Sequence, residues 1–282
     1  MPQARLQKLG VLILMGYAAV STQAAAQASP SSRPVTDKQA VLRAATASYY
    51  NLRNEGLVSF QCDMAPNWEA ELEDERKQDP EGTDAVLKTL NQLRFTVNLA
   101  ADDTVKLTHN EITGQTQRMM DALSQIYGGM EQLTSGFFDT WKLFMVTSPF
   151  PAVNSEYALN DLGPRYRLTY EEKGSGSDVA TMMGHDFAIT TMQVTTADFD
   201  SSIQPTFGNT AKGYLFMSYV ADYRSQKAEE TTHLDVKMDY QQVDGLQMPQ
   251  HLHLAGTYGG SPFKAEMTFS GCQVTKKQPS GH

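Results

Sequence analysis

The sequence predicts an α+β domain: a large curved antiparallel sheet, half-barrel-like, packed against an N-terminal helix and a long central helix. Three observations carry this. Apolar residues recur at helical spacing over residues 37–52 and again over 115–147. From about Tyr157 onward the period is two almost throughout. No internal repeat and no strong boundary divides the chain, so residues 37–275 read as one domain.

The chain opens with an export signal. Arg5 and Lys8 form a basic start, Leu9–Val20 is an apolar stretch, and Ala26 and Ala28 supply the small residues a signal peptidase reads. That stretch is shorter than the roughly twenty residues a membrane span needs. Residues 1–28 are therefore expected to be cleaved near Ala28, leaving a periplasmic or secreted chain of 254 of the 282 residues. Residues 29–36 read as a Ser/Pro/Arg linker and 276–282 as a flexible tail. The leader holds two bases and no acid, so the remainder carries 21 basic and 32 acidic residues, a formal charge of −11. Such acidity argues against nucleic acid and against anionic membrane surfaces as partners.

The first helix follows the linker. Thr36 or Asp37 can cap it, and Val41, Leu42, Ala45, Tyr49 and Leu52 form its apolar stripe up to Gly56. Val58, Phe60 and Cys62 then share one face of a strand. Residues 63–84 hold nine acidic residues and suit a solvated helix, and 63–150 as a whole reads as an acidic helical insertion. A second helical piece covers 85–93. Leu93, Phe95, Val97 and Leu99 alternate as a strand, and Val105 and Leu107 continue after a turn at Asp102-Asp103.

The long helix carries Met119, Leu123, Ile126, Met130, Leu133, Phe137, Trp141 and Phe144 at three- and four-residue spacing. Gly128-Gly129 is a place where it would kink or break. Its last third, 137–146, is apolar on nearly every side and must be covered by protein, ligand or an interface.

Beyond it, Tyr166, Leu168 and Tyr170 alternate, as do Phe187 with Ile189 and Met192 with Val194. The stretch 213–223 is apolar on both faces, as in a central strand. Segments 234–240, 248–258 and 263–274 complete a meander, with loops at 173–178, 198–212 and 224–230. Around Asp244-Gly245, a two-residue turn would pair odd positions with even ones and set apolar residues against His251 and His253. A three-residue loop pairing Tyr240 with Met248 and Val236 with Leu252 avoids this. A bulge at Ser270-Gly271 would turn Cys272 and Val274 inward.

The two cysteines, Cys62 and Cys272, either form a disulfide or stay as buried thiols. As a bridge they would close a loop of about 210 residues, worth roughly 4–5 kcal/mol in the chain-entropy account.

No motif marks a catalytic centre. His251 and His253 share a strand face with Asp235, Lys237 and Asp239, a solvated mix of charges rather than a metal site, and no metal or other cofactor is expected. His185, Asp186, Ser175 and Ser177 contain the residue types of a triad without a nucleophile elbow. What remains is apolar: twelve methionines after the leader, the strand 214–219 and the helix end 137–146. Phe137, Trp141, Phe144, Leu215, Met217 and Tyr219 are the candidate lining and lid of a hydrophobic pocket.

The order of elements resembles the LolA/LolB-like periplasmic lipoprotein carriers. The segment most similar to them is the hairpin Tyr240-Gln-Gln-Val-Asp-Gly-Leu-Gln-Met-Pro-Gln250, followed by an alternating strand and by 263–269. The resemblance covers residues 37–62 and 156–275. It implies an N-terminal helix before a half-open antiparallel sheet whose concave apolar side is plugged by helices. The acidic stretch and long helix within 63–150 depart from the compact family pattern, and no binding residue transfers by position. The function expected is non-enzymatic binding of a lipid-like or other apolar ligand in the sheet's concavity. The alternatives are a secreted hydrolase with an unrecognised site, or an envelope interaction protein with an exposed apolar patch at 137–146.

Overall fold

The computed structural model describes residues 33–114, 116–172, 175–226 and 231–277. The leader, all but the end of the linker and residues 278–282 lie outside the described residues. The N-terminal elements are β1 (Arg33–Pro34), α1 (Lys38–Ala47), β2 (Leu57–Pro66), α2 (Trp68–Glu71), α3 (Glu73–Gln78), α4 (Pro80–Leu90), β3 (Phe95–Leu99), β4 (Val105–His109) and α5 (Gln117–Met145). Then come β5 (Ala158–Asp161), β6 (Arg165–Glu172), β7 (Ser177–Gly184), β8 (Ile189–Thr195), β9 (Phe199–Thr210), β10 (Gly213–Ser225), β11 (Thr231–Val243), β12 (Leu246–Tyr258) and β13 (Ser261–Lys276).

All thirteen strands form one open antiparallel sheet, ordered β1-β5-β6-β7-β8-β9-β10-β11-β12-β13-β2-β3-β4. Strands β5 to β13 follow the chain as a meander, which short turns allow. Strand β2 then pairs with β13, joining the strands β2, β3 and β4 to the meander. The disulfide closes this seam: Cys62 of β2 is bonded to Cys272 of β13. Ser270 pairs with Asp63 and Gln273 with Gln61, so Cys62 faces both Gly271 and Cys272. That two-against-one count is the expected bulge, and Gly271 supplies the positive φ it requires, +57°.

Helix α1 begins at Asp37, whose carboxylate accepts the Ala40 N–H at 2.9 Å. It ends earlier than the apolar stripe suggests. Tyr49 and Tyr50 leave the helix, and residues 48–50 lie alongside β10, with the Tyr50 N–H donating to Tyr214 O. The Tyr49 hydroxyl accepts the Ile189 N–H and donates to Phe187 O, at 2.8 and 2.9 Å. Phe187 itself belongs to the turn between β7 and β8, with φ +70°, and not to the strand predicted for it.

Two further expectations are corrected. Residues 198–212, read as a loop, contain the twelve-residue β9. Pro205 disguised it, but Pro205 lies beyond the last β8 pairing, Met192 with Ile203, where proline is tolerated. The β11–β12 hairpin has a two-residue turn, Val243 pairing with Leu246. Asp244 and Gly245 have φ +49° and +77°, as a type I′ turn demands. Apolar still faces apolar because the register shifts at Pro249-Gln250, so Val236 pairs with Leu254 and Met238 with Leu252. The Gln241 side-chain amide donates to Pro249 O and Phe269 O, at 3.0 and 2.9 Å, and pins the bulge to β13.

Helix α5 crosses the sheet. It is continuous through Gly128-Gly129, with no break there. Its Tyr127 ring stacks on His109 of β4, Phe138 meets Phe60 and Phe269, and Phe144 stacks on Phe216 at 4.5 Å. These contacts run from one sheet edge to the central strand β10. Trp141 donates its indole N–H to the Tyr240 hydroxyl at 3.3 Å, and that hydroxyl donates to Phe216 O. Tyr240→Phe is therefore expected to cost about 1–3 kcal/mol in chemical denaturation, because it orphans a buried donor and acceptor while removing one oxygen.

Candidate functional site

The face of α5 not committed to the core borders a groove of about 580 Å³, within the range of small-molecule sites. Its sheet-side wall crosses six strands in order: Val194 on β8, Phe199 and Ile203 on β9, Tyr219 and Tyr223 on β10, Leu234 on β11, Leu254 and Tyr258 on β12, Phe263 on β13. Five strand spacings of roughly 4.8 Å make this about 24 Å long. The helix side runs from Gln125 to Leu143, and Trp68 and Glu71 of α2 stand at the β13 end.

The α5 wall is kept low by small residues. Gly129 and Gly136 are seven apart and so share a face, with Thr140 one turn further on. A Cβ placed on Gly136 would have nothing within 4 Å. Glycine in a helix interior costs roughly 0.5–1 kcal/mol relative to alanine. At Gly136 that cost buys no close contact, only open space.

Of the six residues predicted to line the pocket, Phe137 and Tyr219 border the groove. Trp141 and Phe144 are fully buried further along α5, against Phe60 and Phe216, and do not border the groove. Leu215 and Met217 belong to the other face of the sheet. Phe216 points at Phe144, so its neighbour Leu215 points away. A register shift follows at Met217, whose Cγ is 3.3 Å from the position a Gly208 Cβ would take. The helix-end segment is covered by protein: Phe137, Phe138, Trp141, Phe144, Met145 and Val146 are buried, and the partly exposed Leu143 faces the groove. The exposed apolar patch imagined for 137–146 does not occur.

The residues missed from sequence are Leu234, Leu254 and Phe263, inner-face positions of the meander, and Phe199, hidden in the strand read as a loop. Alternation alone marks the first three as inward-facing, but it does not say whether an inward residue meets the helix or the space beside it.

Polar groups are few. The Tyr219 and Tyr223 hydroxyls meet the Thr140 hydroxyl, and burial raises the pKa of both phenols. Among the described residues Glu71 is the one strongly perturbed acid. Burial first, and repulsion from Glu266 second, push its carboxyl up to about 8, against the pull of the Glu266 N–H and of Lys264. The sign of the stability effect follows. Between about pH 4.5 and 8 the unfolded chain has released this proton and the folded protein still holds it, so Glu71 lowers stability as pH rises across that window. Glu71→Gln, isosteric with the protonated acid, is expected to leave the melting temperature unchanged near pH 4 and to raise it by several degrees near pH 8.

The triad residue types are not assembled. Ser177 opens β7 and His185 follows its far end, roughly 25 Å along the strand. His185 instead stacks on Tyr166 and faces Asp161 at 3.6 Å. His251 and His253 lie on the polar sheet face as expected, opposite Asp239 and Lys237, with His253 3.7 Å from Glu266. Among the described residues no group of three or more His, Cys, Asp and Glu converges as a metal site. None of the described helices is long and apolar enough to cross a membrane. Comparisons with protein-family profiles, curated proteins and solved structures find no match to this chain.

Proposed function

We propose that this is an exported protein that binds a lipid-like apolar ligand, without chemistry, in the groove between α5 and the sheet. The observation that carries the reading is the groove itself: a long apolar channel, bordered by a helix whose Gly136 faces empty space. In this reading the sheet curves around α5 as a half-barrel, as in the LolA/LolB-like carriers the sequence resembles, and α5 both fills the centre of the concavity and forms one wall of the site. The Cys62–Cys272 disulfide supports an oxidising compartment, the periplasm or the exterior. Export itself rests on the leader sequence.

The test is direct. Delipidated protein is titrated with a fluorescent long-chain fatty-acid analogue below its micelle concentration. Saturable uptake at one site per chain is the expected result. Absence of uptake for this and for neutral apolar probes would overturn the reading.

A further inference from the structure

We propose that the groove selects a long acyl chain carrying a hydroxyl group near its middle, the hydroxyl donating to the oxygens of Tyr219, Tyr223 and Ser201. This rests on the groove being a ligand site.

Hydroxyls interrupt the apolar sheet wall at one place along its length. Tyr219 and Tyr223 are four residues apart on β10 and so share its inner face. Both phenol oxygens meet the hydroxyl of Thr140, which approaches from α5. Ser201 of β9 is paired with Tyr223 across the strands. All four residues border the groove, and Tyr219, the deepest, is only 1% exposed.

The placement of the protons decides what this patch can bind. Thr140 donates to Gly136 O, one helical turn back, at 3.4 Å, so its oxygen is left to accept the phenol protons. Ser201 donates to Val194 O, also at 3.4 Å. Each hydroxyl has one proton and two lone pairs, and the lone pairs of Tyr219, Tyr223 and Ser201 remain unspent. The patch therefore accepts hydrogen bonds and has none to give. An anionic group brings no proton and is repelled by Asp139 of α5, which acts on Tyr223. An amide brings a carbonyl that this patch leaves unsatisfied, and an ammonium loses far more hydration between apolar walls than uncharged acceptors return. A neutral hydroxyl supplies what is missing and nothing more.

The position of the patch places that hydroxyl within the chain. Strand β10 is the third of the six that form the wall, so about 10 Å of groove lies toward β8 and about 14 Å toward β13. At roughly 1.2 Å per bond of an extended chain, these arms hold about eight and about eleven carbons. Both are apolar: Val194, Phe199 and Ile203 line the first, and Leu234, Leu254 and Phe263 the second. A hydroxyl at carbon 12 of an eighteen-carbon acid leaves six carbons on one side and eleven on the other, and both arms fit.

The test compares octadecanoic, 2-hydroxyoctadecanoic and 12-hydroxyoctadecanoic acids as competitors for the fluorescent fatty-acid analogue, below their aggregation concentrations. The three share a chain length and a carboxylate, so presence and position of the hydroxyl are the only variables. The 12-hydroxy acid is expected to bind about five- to tenfold more tightly than octadecanoic acid, and the 2-hydroxy acid within about twofold of it. The Tyr219→Phe/Tyr223→Phe double variant should lose the 12-hydroxy preference and bind octadecanoic acid at least as well as wild type. Should that variant fail to fold, Tyr223→Phe alone, at the partly exposed phenol, is expected to lose at least half of the preference. Equal binding of the three acids, a 2-hydroxy acid as tight as the 12-hydroxy acid, or a preference unchanged in a folded phenylalanine variant would overturn the hydroxyl selection. Each of those results leaves the groove reading standing. Failure of all three acids and of the analogue itself to bind wild type would overturn both.

Discussion

Gly136→Phe is expected to abolish ligand uptake while leaving the fold intact. A helical side chain leans back over the preceding turn, so the phenyl ring would lie along the groove near Leu133 and Gln132. The space to receive it exists, since a Cβ at residue 136 meets nothing within 4 Å. Replacing glycine also removes its helix penalty. The melting temperature should therefore hold or rise, while affinity for the fluorescent fatty-acid analogue falls by roughly a hundredfold, about 2.7 kcal/mol. Gly136→Ala is the matched control. It should gain about 0.5–1 kcal/mol of stability and retain uptake, because a methyl group occupies little of a site this size. A Gly136→Phe protein that folds and binds as well as wild type would remove the groove from consideration.

Loss of the Cys62–Cys272 bond should be the most destabilising change that touches no part of the groove. The bond spans 210 residues of chain, and opening it returns that conformational freedom to the unfolded state, about 5 kcal/mol in the chain-entropy account. It also joins β2 to β13, where the meander meets the N-terminal strands. The Cys62→Ala/Cys272→Ala double variant should shift the urea midpoint sharply downward, as should reduction of the wild-type protein. Cys62 is buried, so a single Cys272→Ala change that leaves an unpaired thiol there should cost as much. An unchanged midpoint would mean that the bond constrains little.

Much of this fold is legible in the sequence, and the exceptions have local causes. The apolar alternation of Phe95, Val97 and Leu99, and of Val236 and Met238, is strong because one face of each strand is fully buried. The long helix is equally plain. The Gly128-Gly129 pair looked like a break, yet packing on both sides outweighs the roughly 1 kcal/mol that each glycine costs. The hairpin shows how a correct principle can lead to a wrong register. Apolar residues do face each other, but through a type I′ turn and a bulge at Pro249-Gln250 that Gln241 stabilises from the neighbouring strand. That contact depends on β13, distant in sequence.

The site was half legible for a related reason. The last third of α5 has apolar residues on nearly every side, and periodicity does not tell which side meets packed protein and which meets space. Trp141 and Phe144 drive into the core, where the Phe60 and Phe216 rings receive them. The groove lies where residues are small: Gly129, Gly136 and Thr140. Leu215 and Met217 part from Tyr219 at the register shift at Met217, which interrupts the alternation along β10.

The most direct measurement is the methyl NMR spectrum of methionine-labelled protein during titration with an apolar ligand. Met130 is the methionine that borders the groove, Met248 is buried in the core, and Met217 lies on the opposite sheet face. A ligand between α5 and the sheet should move the Met130 resonance saturably and leave those of Met248 and Met217 in place. A saturating ligand that leaves Met130 still, or shifts Met217 instead, would contradict the account.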